Sequence, residues 1–416
     1  MSRMAERRAL TIVLAALLID TIGFGIIVPV MPDLILDLTH EPLSEAARVS
    51  GWLLFVFATM QFLFGPVMGG LGDHFGRRPV ILTCMLAFGI DYFVMGVAPN
   101  LAWLFVSRAL AGVAGATFAP ASAYIADITP PERRAQSFGL IGAAFGLGFV
   151  IGPAVGGLLG DLGPRTPFFV AGALALANAV SGFFLLPESL PAERRRPFRL
   201  VRANPLGTFA SLRRHPGALV LFVAWFPWML AHQVYPATWA FFTKLKFSWS
   251  DGAVGASLAF AGMSMALAQA FVTRRLIPAI GERRAILLGL TIGTLGFLAN
   301  GLATQGWMVY AVLGASALQG LVFPSMNGTL SRIVGPAEQG ELQGGVASLQ
   351  SVAAITGPPL LTGILAHFTR DSAPVRFPGA AFVAASALAF TALVIIAVFA
   401  RGVFARLPAA RNQAPR

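Results

Sequence analysis

Twelve separate runs of about 20 mostly apolar residues constrain this chain more than any other feature. A helix rising ~1.5 Å per residue needs about that length to cross the hydrocarbon layer of a bilayer. The runs fall at about 9–31, 50–72, 79–98, 101–126, 138–160, 166–187, 217–243, 252–273, 282–303, 306–330, 341–366 and 378–401. One long interval, Pro187 to Pro216, separates them six and six, and it carries Arg194, Arg195, Arg196, Arg199, Arg202, Arg213 and Arg214. The pattern predicts an all-α membrane protein with twelve transmembrane helices in two six-helix halves. The expected divisions are 1–187 for the first half, 188–216 for a basic cytoplasmic linker, 217–403 for the second half and 404–416 for a cytoplasmic tail.

Composition supports the lipid reading. Only 12% of residues are charged, about half of what a soluble domain carries. The net charge of +12 would point to nucleic acid in a soluble protein. Here it reads as basic loops anchoring membrane helices, with no nucleic-acid partner. With the N-terminus inside, 23 Lys and Arg fall in inner segments and 6 in outer ones, so the positive-inside rule places both termini in the cytoplasm. The expected location is a bacterial-type inner membrane, in which the chain is a multi-pass monomer. The apolar run Leu10–Met31 is too long for a signal-peptide core and has no small-residue cleavage site behind it, so it reads as a retained first span. The one cysteine, Cys84, allows no intrachain disulfide.

The two halves repeat. Gly76-Arg77-Arg78-Pro79-Val80-Ile81-Leu82 resembles Gly281-Glu282-Arg283-Arg284-Ala285-Ile286-Leu287, 205 residues on. Gly152-Pro153 recurs as Gly357-Pro358 at the same offset, and Pro120 recurs as Pro324. Parallel repeats of this kind bind substrate near the midplane between the halves.

A charge inside a span costs about 2.5–3.5 kcal/mol on insertion scales, so each needs a reason. The first half holds three, Asp20, Asp91 and Arg108. Asp20 lies near the midplane with Gly23, Gly25 and Pro29 close by, and its span offers no basic partner. Surroundings of low polarity favour the neutral form of a carboxyl group, which suits a reversible proton carrier; a neutral, hydrogen-bonded acid is the alternative. Asp91 and Arg108 lie at similar depth on two spans joined by a short turn. They fit either a structural ion pair or a part in proton handling. The second half has no acid within a span. Its polar centre is His232, Gln233, Tyr235, Gln269, Gln319 and Asn327, joined by Gln350 and by Trp225, Trp228 and Trp239. Such a set suits a flat, partly polar ligand, although interhelical bonding would account for about half of it and His232 fits a packed neutral ring equally well. No P-loop, metal-ligand spacing or nucleophile elbow is present. The chain is therefore expected to be no enzyme, to hold no metal or cofactor, and to draw on the proton gradient.

Several motifs resemble a known family. Gly69-x-x-x-Asp73-x-x-Gly76-Arg77-Arg78 resembles the loop 2–3 signature of the major facilitator superfamily. Gly148-x-x-x-Gly152-Pro153-x-x-Gly156-Gly157 and Arg108-Ala-Leu-Ala-Gly112 resemble signatures of its drug/proton antiporters. Asp20-Thr-Ile-Gly23-Phe-Gly25, Asp91-Tyr92, Ile125-Ala126-Asp127, Phe145-Gly146-Leu147-Gly148, Pro167-Phe168-Phe169 and Pro236-Ala237-Thr238-Trp239 resemble the tetracycline-resistance efflux proteins. The resemblance implies a major facilitator fold and a cytoplasmic gate of Asp73, Arg77, Arg78 and Asp127. It implies proton or substrate movement through Asp20, Asp91 and Arg108, and a kink in span 5 at Gly152-Pro153. Those efflux proteins place a histidine in span 8 and an aspartate in span 9, where this chain has Met265 and Gly293. His74 also stands where they have a basic residue. The expected function is proton-coupled export of a small amphipathic drug, tetracycline-like or other. Uptake of a sugar or metabolite on the same fold is the alternative, and a membrane sensor or intramembrane enzyme a more distant one.

Overall fold

The computed structural model describes residues 3–130, 133–198, 216–334 and 338–406. Among them are twelve helices long and apolar enough to cross a membrane, and no strand. In order they are span 1 (Leu10–Thr39), span 2 (Leu43–Phe75), span 3 (Arg77–Val97), span 4 (Leu101–Ile128), span 5 (Ser137–Gly160) and span 6 (Thr166–Leu185). The rest are span 7 (Gly217–Phe247), span 8 (Asp251–Ile280), span 9 (Glu282–Leu302), span 10 (Gly306–Val334), span 11 (Gln339–Thr369) and span 12 (Ala380–Val398). Large apolar side chains such as Leu110, Leu158, Phe184, Leu295 and Phe390 stay exposed, as a bundle solvated by lipid requires. Spans 1, 2, 7, 8, 10 and 11 outrun their apolar runs by several residues, because the chain stays helical beyond the hydrocarbon depth, whereas spans 6, 9 and 12 fall short of theirs.

The helix breaks follow proline chemistry. Proline has no N–H and crowds the carbonyl four residues back. Span 4 is interrupted between Gly115 and Phe118, at the level of Ala116, four residues before Pro120. Span 7 is interrupted at Gln233, between His232 and Val234, next to the carbonyl that Pro236 strips of its donor. Span 10 passes through a 3₁₀ segment, Ala317–Leu321, that contains Gly320, four residues before Pro324. Span 8 contains a π-helical turn, Ala268–Thr273. Span 5, by contrast, runs through Pro153 as one continuous helix, Arg134–Gly160.

The repeat extends to backbone conformation. Gly76 and Gly281 both take positive φ (106° and 79°) between consecutive spans. His40 and Ser248 end spans 1 and 7 in the same left-handed conformation, each with φ 55°. Ala98 and Ala303, 205 residues apart, end spans 3 and 9 with nearly identical dihedrals. Matching termini therefore recur in both repeats, with identical residues at Gly76/Gly281 and Ala98/Ala303 and different ones at His40/Ser248.

By contact density the chain forms two compact units. The first comprises Met1–Pro205, Tyr235–Met263 and Ala354–Pro378; the second comprises Leu206–Val234, Ser264–Ala353 and Gly379–Arg416. In the first, Val13, Leu17, Ile81, Tyr124 and Ile125 centre a buried cluster. Glycines let its backbones touch. Gly148, Gly152 and Gly156 face Thr21, Ile22, Gly25 and Ile26 of span 1, and a Cβ at any of the three would collide there. In the second, Trp225, Leu290, Phe297 and Phe382 are fully buried.

Gly76 and Gly281 share one strained backbone region yet differ in surroundings: a Cβ on Gly76 would strike the Glu188 carboxylate, while Gly281 has open space. Backbone strain there is worth about 1–3 kcal/mol. Thermal unfolding of the detergent-solubilised protein should show Gly281→Ala lowering the midpoint by that strain alone and Gly76→Ala lowering it further.

Candidate functional site

The first unit holds the membrane-depth charges. Asp91 on span 3 and Arg108 on span 4 are both buried, and Arg108 Nη2 donates to Asp91 Oδ2 at 2.7 Å. Ser107 Oγ donates to Asp91 Oδ1. The guanidinium also contacts Met95 Sδ and lies 5.8 Å from the centre of the Phe57 ring. The pair predicted from depth alone is thus formed, with both carboxylate oxygens engaged. Asp20 is different. Its Oδ1 is enclosed and has no hydrogen-bond partner among the described residues. Tyr92, next to Asp91 in sequence, rests its hydroxyl on span 1, where a Cβ on Gly23 would come within 2.5 Å of it. Asp20, Asp91 and Arg108 all lie within electrostatic reach of that phenol. Tyr92 was visible in sequence only as part of a resemblance; as a tyrosine in an apolar run it carried no signal of its own.

At the Gly76 end, Asp73 Oδ1 lies 2.5 Å from Arg77 Nη2, and Arg77 Nε lies 3.5 Å from Asp127 Oδ2. Asp73, Arg77 and Asp127 therefore cluster as expected. Arg78 does not join them, since its Nη2 donates to the Phe183 carbonyl at 2.5 Å and its guanidinium covers the Phe183 ring. Sequence reading missed the strap that lies over this loop. Glu188 Oε1 accepts from the backbone N–H of Arg77, Ser189 and Leu190. Ser189 Oγ donates to Asp127, Tyr124 to the Pro187 carbonyl, and Arg196 N–H to the Asp73 carbonyl. The start of the linker is thus bonded to the loop rather than merely following span 6.

The second unit carries a counterpart with its charges exchanged. Glu282 and Arg332, 205 residues beyond Arg77 and Asp127, form an ion pair that Thr329 supports. The residue match between the two loops reaches only Leu287, and Arg332 lies on another span, out of reach of local matching.

The predicted polar centre divides. Gln233 sits at the break in span 7, Gln269 in the π turn of span 8 and Gln319 in the 3₁₀ segment of span 10. Irregular backbone at membrane depth is tolerated where protein or a polar cavity covers it, and π turns concentrate at functional sites. Gln319 Oε1 is buried with no partner among the described residues, and Gln269 packs beside Gly320. The His232 ring packs edge-on against Trp228 and Phe297. Asn327 accepts from Gln343 Nε2 at 3.1 Å, an interhelical bond. Tyr235 lies against Trp239. Trp239 departs from its expected role: it is 1% exposed and its Nε1 donates to Ser257 Oγ at 2.9 Å, so here it packs spans 7 and 8 together. The glycine at 293 is no empty slot either. A side chain there would run into the Trp228 ring.

Twelve spans in repeated sixes, acids held at membrane depth and a charged loop latch describe a secondary transporter. A family model for the Major Facilitator Superfamily matches residues 13–358. The tetracycline resistance protein of class C from Escherichia coli is 42% identical over 363 residues, covering 87% of this chain and 91% of that protein. The class G protein from Vibrio anguillarum is 38% identical, covering 82% and 86%. Among solved structures, the human organic anion transporter MFSD10 (TETRAN) superposes with TM-score 0.69 at 24% identity, over 94% of this chain and 99% of that one. An auto-inhibited peptide transporter of the POT family superposes with TM-score 0.74 at 13% identity, over 98% and 99%. The chain belongs to the major facilitator superfamily, in the family of the tetracycline resistance proteins.

The exchanged pair yields a direct check. Arg332→Glu should oppose Glu282 and lower the thermal midpoint, whereas Glu282→Arg with Arg332→Glu should recover most of the loss, the energy at stake being about 1 kcal/mol for a half-exposed pair. A double variant no better than the single one would show that the two residues are not coupled.

Proposed function

We propose that the protein exports a tetracycline-class drug across a bacterial inner membrane in exchange for protons. The observation that carries the reading is Asp20, an acid at membrane depth whose enclosed oxygen has no partner among the described residues, in a chain 42% identical to a tetracycline resistance protein. In this mechanism Asp20 takes up and releases the proton. Tyr92 and the Asp91–Arg108 pair set the field around it, and the pair itself stays closed because both oxygens of Asp91 are engaged. The membrane potential contributes about 2.3 kcal/mol per charge per 100 mV. Alternating access exposes Asp20 first to one face and then to the other. The Asp73–Arg77–Asp127 cluster forms the cytoplasmic gate, held in register by Glu188. Both termini are cytoplasmic, the sequence repeats 1–187 and 217–403 are the moving halves, and 188–216 links them.

Drug contacts fall to Gln233, Gln269 and Gln319, whose amides sit where the helices are irregular. No acid can stand at position 293 while Trp228 fills that space. The drug therefore crosses without a metal held by a span-9 carboxylate.

Asp20→Asn should insert normally and abolish drug-driven proton release from everted vesicles; unimpaired exchange by that variant would remove Asp20 from the mechanism. In a pump-deficient host the intact protein should raise tetracycline resistance, and uptake into everted vesicles should persist when divalent metal is chelated. Loss of uptake on chelation would establish the metal complex as the substrate.

A further inference from the structure

The chain has two lysines, Lys244 and Lys246, both in the last turn of span 7. Counting charges by loop would treat both as solvated. Lys246 lies over the rings of Phe242, Phe247 and Phe377. Lys244 is nearly buried, with 11% of its side chain exposed, and its Nζ lies 2.6 Å from Asp33 Oδ1 on span 1 and 2.6 Å from Asp251 Oδ1 at the head of span 8. The Asp251 side chain is 3% exposed. One cation thus joins three spans.

The packing around it leaves no slack. Gly157 abuts the backbone of Asp251, and Gly160 abuts its carboxylate. Asp161 at the end of span 5 accepts from the Gly252 N–H at 3.2 Å. Gly255 lies directly beneath the Pro153 carbonyl. The joint links spans 1 and 5 of the first repeat to spans 7 and 8 of the second. Its repeat counterpart packs Gly51 of span 2 on Pro358 and Thr362 of span 11. There, the positions 205 residues from Lys244, Asp33 and Asp251 are Thr39, Thr238 and Ala46, all uncharged. Packing of this kind forms without an ion pair, so the fold alone does not explain the charges.

We propose that Lys244 is the bolt of a gate at the Asp33 end of the transport path. Closure seats Nζ between Asp33 and Asp251; opening carries Lys244 and Asp251, which belong to the same repeat, away from Asp33 together. A buried pair that loses one member leaves an uncompensated charge, so removing Lys244 weakens the closed state specifically. The inference rests on the transporter reading above, because only alternating access requires this end to open.

The test measures opening without using drug or proton movement. Val254, fully buried next to the joint, is changed to Cys in the full-length protein in membrane vesicles. Its reaction with a membrane-impermeant maleimide is followed from the Asp33 side. Buried Cys84 stays in place as an internal monitor of the fold, and mass spectrometry separates the two sites. Adding Lys244→Gln should speed labelling of the new cysteine about tenfold or more, as loss of a buried ion-pair partner implies, with Cys84 unchanged. Lys244→Arg should stay near the parent rate, and Asp33→Asn, which removes the acid that Lys244 meets on the opposite repeat, should speed labelling to a similar extent as Lys244→Gln. An unchanged rate in Lys244→Gln would overturn the proposal, and so would parallel labelling of Cys84, which would mean general loosening. Because no substrate is involved, the bolt can fail while drug export stands, and Asp20-dependent export can fail while the bolt stands.

Discussion

At mid-membrane a backbone carbonyl that loses its helical partner has no water to turn to. That constraint makes the chain twelve helices, and it gives meaning to the places where the helices are not regular. Pro120, Pro236 and Pro324 each strip a carbonyl one turn earlier, and spans 4, 7 and 10 break or tighten at those levels. The π turn of span 8 adds a fourth irregular segment. Gln233, Gln269 and Gln319 stand in three of the four, so polar side chains gather where the backbone already has polarity to offer.

Charge obeys the same economy. Asp91 and Arg108 satisfy each other with help from Ser107, and Lys244 satisfies two carboxylates. Asp20 is the acid at depth whose enclosed oxygen no described residue satisfies. The two charge clusters differ in kind. At the Gly76 end the ion pairs are part-exposed and each worth little. At the Asp33 end the cation is enclosed between two carboxylates.

Much of this was legible in the residues. Span number, the repeat and the depth match of Asp91 with Arg108 follow from spacing along helices of known rise, whereas the grouping of Asp73, Arg77 and Asp127 came with the family resemblance. Local matching could not see pairs between distant spans. Glu282 looked like the remnant of a lost motif until Arg332 was placed beside it. Lys244 looked like a loop charge until its helix proved to run on to Phe247. Trp239 looked like a ligand platform, and its ring proved to be packed between spans 7 and 8.

The amino-acid sequence by itself determined the class of protein. Twenty-residue apolar runs admit no other solution in lipid, and the glycine and proline spacing set where helices touch and break. Tertiary structure alone decided which charged groups on distant spans meet. An acid 211 residues from a lysine in sequence comes within 2.6 Å of it, and nothing periodic in either segment encodes that encounter. Helix period is a local property, carried by each residue and its neighbours. Pairing of charges across spans depends on how whole helices are docked, which is a sum over all their contacts.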